Sequence, residues 1–134
     1  MAAAEVFFDT NVLLYLLSAD SSKADRAETL AAGGGVISVQ VLNEFASVAL
    51  RELAMRMDEV REVLTTIRAL CEVTPIDIET HELALDLVER HKVGMYDALI
   101  VAAALQANCA VLYSEDFQHD LKFGDLSIRN PFAR

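Results

Sequence analysis

Carboxylates carry the chemistry that this sequence suggests. Asp9 ends the apolar run Val6-Phe7-Phe8, and Thr10-Asn11 separates it from a second apolar run that begins at Val12. Glu44 lies within a stretch of helical periodicity. At 100° per residue it projects between Val41 and Val48, beside the stripe that holds Phe45. Asp97 opens a long apolar stretch, and Glu115-Asp116 follow Ala110-Val-Leu-Tyr113. Each acid also has a plain structural use. Asp9 and Asp97 suit helix N-caps, Glu115 and Asp116 suit a surface turn, and Glu44 suits the edge of a core. Taken together they suggest more. A charged group at a core margin needs a partner or a cation. Carboxylates a few Å apart repel by about 4 kcal/mol per pair at an effective dielectric near 20. A cluster of them persists when a cation sits among them or protons neutralise some members. Oxygen ligands without His or Cys suit Mg²⁺, with Mn²⁺ as a substitute, rather than zinc. Such an ion polarises a phosphodiester, generates hydroxide and steadies a leaving oxygen.

The acids share an address only if the chain alternates strands with helices. Val6 to Phe8 is expected to form a buried strand, followed by a short helix from Asn11 to Leu17. Lys23 to Ala32 is a second helix, closed by Gly33-Gly34-Gly35. Val36-Ile37-Ser38 is a strand, and Ser38 is placed to cap a helix running from Val39 to about Met55. Asp58 to Leu70 is helical, Cys71 to Ile76 is a strand, and Thr80 to His91 is helical. The loop from Lys92 to Tyr96 leads into a helix from Asp97 to Ala107 that is apolar all round, and so is expected to be central, with Asn108 at its end. Ala110 to Tyr113 and Leu126 to Ile128 are the last strands. This alternation predicts a three-layer α/β/α fold with a central, mainly parallel sheet of about four to five strands. In such a sheet ligands bind outside the carboxyl ends of the strands. Asp9, Glu44, Asp97 and Glu115-Asp116 can all reach that edge.

The bulk numbers agree with one domain over residues 1–134. Hydrophobic residues make up 54% of the chain, which calls for well-buried helices. The longest apolar run, Ala98 to Leu105, is too short to cross a bilayer. Met1 to Glu5 has no basic n-region, so no signal peptide and a cytoplasmic protein are expected. Cys71 and Cys109 lie far apart and read as buried thiols. The net charge of −10 argues against simple phosphate-backbone binding. The triple glycine is not a phosphate loop, because no Gly-Lys-Ser/Thr follows it. His81, His91 and His119 form no short-spaced metal pair, and no Gly-x-Ser-x-Gly elbow occurs.

Four motifs in order, Phe8-Asp9-Thr10-Asn11-Val12-Leu13, Asn43-Glu44, Tyr96-Asp97-Ala98 and Leu112-Tyr113-Ser114-Glu115-Asp116-Phe117, resemble those of the PIN-domain family. Within it the chain resembles the short VapC-type toxins of toxin–antitoxin pairs. The resemblance implies a magnesium-dependent endoribonuclease that hydrolyses RNA by in-line attack, leaving a 5′-phosphate and a 3′-hydroxyl. It implies that Asp9, Glu44, Asp97 and Asp116 form the catalytic and metal-holding quartet, with Glu115 as the alternative to Asp116. Thr10, Asn11 and Ser114 would orient ligands or water around them. It further implies a homodimer and a small antitoxin that inserts into the active-site groove. The acidic balance leaves few basic groups for RNA; Arg51, Arg56, Lys92, Lys122 and Arg129 are candidates.

Three rival readings are weaker or differ in class. A phosphoacceptor domain needs paired acids at the first strand, but Phe8 precedes Asp9. An Asp-x-Asp phosphatase needs an acid where Asn11 stands. A catalytically silent, metal-binding interaction domain would keep the same acids and lack turnover.

Overall fold

The computed structural model describes residues 5–133, so the leader reading, which rests on Met1 to Glu5, falls almost wholly outside them. Strand β1 (Val6–Phe8) leads into α1 (Thr10–Leu14), a 3₁₀ turn (Tyr15–Leu17) and α2 (Ser21–Ala32). Then come β2 (Gly35–Ser38), α3 (Val39–Arg51), α4 (Met57–Leu70) and β3 (Cys71–Thr74). The chain continues through α5 (Ile78–His91), α6 (Met95–Gln106), β4 (Val111–Tyr113), β5 (Lys122–Phe123) and β6 (Leu126–Arg129).

The strands form one sheet in the order β3-β2-β1-β4-β6-β5. Every pairing is parallel except that of β5 with β6. From β1 the chain steps outward to β2 and β3, then returns across the sheet to β4. Right-handed crossovers therefore put α1–α4 on one face and α5–α6 on the other. The packing follows: α5 lies along α6, α6 packs on β2, and α3 contacts α1, α4 and β2. Because the chain leaves β1 toward β2 and leaves β4 toward β6, in opposite directions along the sheet, the switch point lies at the carboxyl ends of these neighbouring strands.

The all-apolar stretch is central, as its composition demands. Ala98, Val101, Ala102 and Ala104 of α6 have no exposed surface, nor do Phe7, Phe8, Leu112 and Ile128 of the sheet. Small residues let this helix lie close to the strands; the larger side chains each add about 1.5–3 kcal/mol by leaving water. Cys71 and Cys109 are buried, and loss of hydration pushes both thiols up to about 11. No described helix is long and apolar enough to cross a membrane.

Several boundaries differ from expectation for local reasons. Helix α2 starts at Ser21, not Lys23, because Asp20 accepts the N–H groups of Ser22 (3.1 Å) and Lys23 (3.4 Å). Helix α3 stops at Arg51, short of Met55, and Ala54 takes a left-handed backbone (φ 52°). Ser38 stands at its N-cap, but the buried hydroxyl bonds no helix N–H. Strand β3 ends at Thr74, before Pro75, which has no N–H for the ladder. Asp77 caps α5 through the Thr80 N–H at 2.9 Å, so that helix begins at Ile78 rather than Thr80. Strand β5 has only two residues, too few for periodicity to reveal. It gives the sheet six strands instead of four or five.

The three glycines do different work. Gly33 is the last capping residue of α2, and Gly34 takes the positive φ (81°) that turns the chain out of the helix. Gly35 makes room for a ring: a Cβ there would lie 2.6 Å from Phe8 Cε2 and 3.0 Å from Val6 Cγ2. Phe8 is fully buried and stacks on Tyr113 at 6.0 Å, so its ring has nowhere to retreat. Gly35→Ala is expected to destabilise the fold by about 1–3 kcal/mol through overpacking, and Phe8→Leu in the same chain to restore part of the loss. Gly33→Ala, whose added Cβ meets only an ordinary contact at 3.4 Å, serves as the control in chemical denaturation.

Candidate active site

Asp9 leaves β1 at the switch point and caps α1. Its own N–H pairs with the Tyr113 carbonyl at 3.0 Å, which continues the β1–β4 ladder by one bond. Its carboxylate accepts from the Thr10 N–H (2.7 Å), the Ser114 hydroxyl (2.7 Å) and the Asn11 amide (3.4 Å). The group is only 3% exposed. That burial pushes its pKa up from 3.8 to about 7; the bonds from Ser114 and Thr10 oppose the rise, while the charges of Asp116 and Glu44 add to it. The cap and the candidate ligand are thus the same residue.

Glu44 arrives from the facing helix. Its Oε1 accepts the Thr10 hydroxyl at 2.8 Å, and its Oε2 accepts the Gln40 amide at 3.4 Å. Gln40 sits one helical turn earlier on the same face. Its Nε2 also donates to the Tyr96 carbonyl at 3.2 Å, tying α3 to the start of α6.

Asp97 is not the N-cap of α6. Gly94 occupies that position, the helix starts at Met95, and Asp97 lies in the first turn. Three residues into a helix, an acid faces the unpaired N–H groups and the positive end of the dipole. Asp97 is half-buried, and its pKa is raised first by that burial, then by Asp116 and Glu44.

Beyond β4 the two adjacent acids part. Ser114, fully buried, accepts the Asp116 N–H at 3.0 Å while it donates to Asp9. Asp116 lines the same cleft as Asp9, Glu44 and Asp97. Glu115 turns away: its N–H bonds Asn11 Oδ1 at 3.2 Å, and its Oε1 accepts the Tyr15 hydroxyl at 2.8 Å. Lys23 lies over the Tyr15 ring at 4.9 Å. Glu115 borders a neighbouring groove with Leu14, Leu17 and Leu53 instead.

The result is a cleft of about 310 Å³ lined by Asp9, Glu44, Asp97 and Asp116 together with Thr10 and Asn11. Among the described residues, no three acids, histidines or cysteines stand close enough to form a ready-made metal cage. A partly hydrated Mg²⁺ does not need one; one or two carboxylates plus water and substrate oxygens suffice. Donor chemistry and electrostatics both fit a divalent cation here. All lining acids offer oxygen; burial first, and then the neighbouring negative charges, raise the proton affinity of Asp9 and Asp97, and a cation would oppose that rise. None of the three histidines and none of the five candidate basic residues lines this cleft. Arg56 instead pairs with exposed Asp58 at 3.1 Å. Reading residues by type overlooked Gln40, Tyr15 and the separate role of Tyr96. The one signal for Gln40 was its place four residues before Glu44.

Among curated proteins, none matches the chain in sequence. Similar solved structures do exist. One is a toxin–antitoxin complex from Klebsiella pneumoniae, 20% identical, with a TM-score of 0.73 over 95% of this chain and 98% of that one. Another is the Mycobacterium tuberculosis toxin VapC20, described as cleaving the sarcin–ricin loop: 21% identical, TM-score 0.68, covering 84% of this chain and 91% of that one. A third is VapBC2 from Rickettsia felis, bound to a promoter DNA fragment: 18% identical, TM-score 0.67, covering 92% and 96%. The PIN domain model matches residues 6–122, from the start of β1 to the first residue of β5, and includes all four cleft acids. The chain belongs to the PIN domain family.

Proposed function

We propose that the chain is a magnesium-dependent endoribonuclease and the toxin of a toxin–antitoxin pair. One observation carries the nuclease reading: four carboxylates from four separate segments line one cleft at the carboxyl edge of the sheet. Asp9, Glu44, Asp97 and Asp116 are the residues that would hold Mg²⁺ or Mn²⁺. Bound there, the cation would neutralise phosphoryl charge and make water more acidic. The chain's own groups do the rest. Thr10 fixes one oxygen of Glu44, and Ser114 holds Asp9 while anchoring the Asp116 backbone. Asn11 braces the loop between them. Such locked carboxylates keep their geometry as a phosphodiester enters.

The toxin role draws support from the likeness to toxin–antitoxin structures that cover nearly all of both chains. A small antitoxin partner, a homodimer and action in the cytoplasm belong to this reading.

Purified free of any partner, the protein is expected to cut RNA in millimolar Mg²⁺ or Mn²⁺ and to stop in EDTA. Asp9→Asn, Asp97→Asn and Asp116→Asn should each fold and lose about 100-fold or more in rate, while Glu115→Gln loses little. Cleavage that persists unchanged in EDTA or in Asp9→Asn would sink the mechanism. Intact RNA under all conditions would favour the silent-domain reading. Expression of the chain alone should arrest growth, and co-expression of a small neighbouring gene should relieve it.

The buried acid also sets a pH dependence. Between 3.8 and about 7 the folded chain keeps a proton on Asp9 that the unfolded chain has released. Stability from this group therefore falls as pH rises through that window and levels off above it. Asp97, also raised, acts in the same sense. In cation-free buffer Asp9→Asn should melt higher than the parent at about pH 8, with the gap closing toward about pH 4. Added Mg²⁺ should narrow the gap at the higher pH by stabilising the parent alone. Equal melting curves for parent and variant across the range would show that Asp9 is not held protonated.

A further inference from the structure

A second cavity adjoins the carboxylate cleft. It holds about 370 Å³ and shares Glu44 and Tyr96 with the cleft. Val39, Ile76 and Leu99 give it apolar walls, and Gln40 and Asn43 add two amides. Tyr96 stands on the ridge between the two spaces and is 71% exposed, among the most exposed large hydrophobic residues described. An aromatic ring held in water on the first turn of a helix, beside Asp97, gains nothing from the core.

The charge pattern narrows the occupant. Among the described residues no Lys or Arg lines either cavity, and the chain carries a net charge of −10. Neutralising a nucleic-acid backbone therefore contributes little here. Affinity for RNA at this site must come from another source. Stacking of a base on an aromatic ring is independent of charge, and amide side chains hydrogen-bond the edges of unpaired bases. A base inside a duplex has both faces and its pairing edge occupied, so only an unpaired base meets this chemistry.

We propose that the second cavity receives one unpaired nucleobase of the RNA, next to the phosphodiester in the carboxylate cleft. Tyr96 stacks on the base, and Asn43, with Gln40 behind it, reads its edge. The inference rests on the nuclease reading for its choice of RNA. Gln40 gives the pocket a mechanical link to the chemistry, because its amide nitrogen bonds both the Tyr96 carbonyl and Glu44 Oε2. A base seated against Tyr96 thus bears on a segment already tied to a cleft carboxylate. Tyr96 is a positioning residue in this scheme, and the cavity selects single-stranded or looped RNA.

Binding separates this idea from turnover. In the Asp9→Asn chain, chosen because its cleavage is expected to be slower by about 100-fold or more, Tyr96→Trp introduces the only tryptophan and so a unique fluorophore. The probes are a pentaadenylate, a pentauridylate and a fully abasic ribose-phosphate pentamer of equal charge. Both base-bearing probes should quench the tryptophan and bind about tenfold more tightly than the abasic one. By calorimetry, Tyr96→Ala in the same background should lose that advantage while Tyr96→Phe keeps it, and circular dichroism checks that each variant is folded. In the active chain, Tyr96→Ala should raise KM more than it lowers kcat. Equal binding of base-bearing and abasic probes, or no effect of Tyr96→Ala, overturns the pocket even if RNA is cleaved normally. Base-dependent binding without cleavage by the parent chain upholds the pocket and overturns the nuclease reading instead.

Discussion

A buried carboxylate at the junction of two parallel strands is the constraint around which this molecule is arranged. Asp9 continues the β1–β4 ladder with its N–H and caps α1 with its side chain, almost without contact with water. Leaving such a charge unsolvated is costly unless it is bonded, protonated or opposed by a cation. The surroundings supply the first two in part. Three donors converge on it, and its pKa has climbed to about 7. The third, a cation, is what a fully ionised Asp9 beside Glu44 and Asp116 calls for.

The neighbours are held by hydroxyls and amides rather than by basic side chains. Thr10 restrains Glu44, Ser114 restrains Asp9 and the Asp116 backbone, and Gln40 restrains Glu44 and the start of α6. Neutral donors fix direction without cancelling negative charge. A lysine or arginine in their place would form ion pairs and lower the potential that attracts a divalent ion. Glu115 shows the same economy of charge from the other side. Bonded to Tyr15 and Asn11, it is kept out of a cleft that already carries four acids.

The alternation of apolar runs with turn chemistry made the layered fold legible, because period and caps are local properties. The all-apolar helix was legible as central for the same reason. Glu44 was the most informative acid, since its angle beside Phe45 and Val48 required an explanation that a surface glutamate does not. What could not be read was anything set by two distant segments. The two residues of β5 have no period of their own and exist through β6. The N-terminus of α6 was misplaced by two residues because Gly94, which has no side chain to bond the helix, stands at the cap. Asp116 and Glu115 are equivalent by type and adjacent in sequence; their separation depends on Tyr15, a hundred residues away.

The contact between Gly35 and Phe8 reaches beyond stability. Position 35 has no side chain because the ring at position 8 fills its space, and position 8 is followed directly by the buried acid. Sterically these sites form one unit. Enlarging residue 35 demands a smaller residue 8, and a smaller residue 8 loosens the strand end that presents Asp9. The demand for a well-placed carboxylate in the cleft is thereby transmitted, by sterics alone, to a glycine inside the sheet that does not line the cleft.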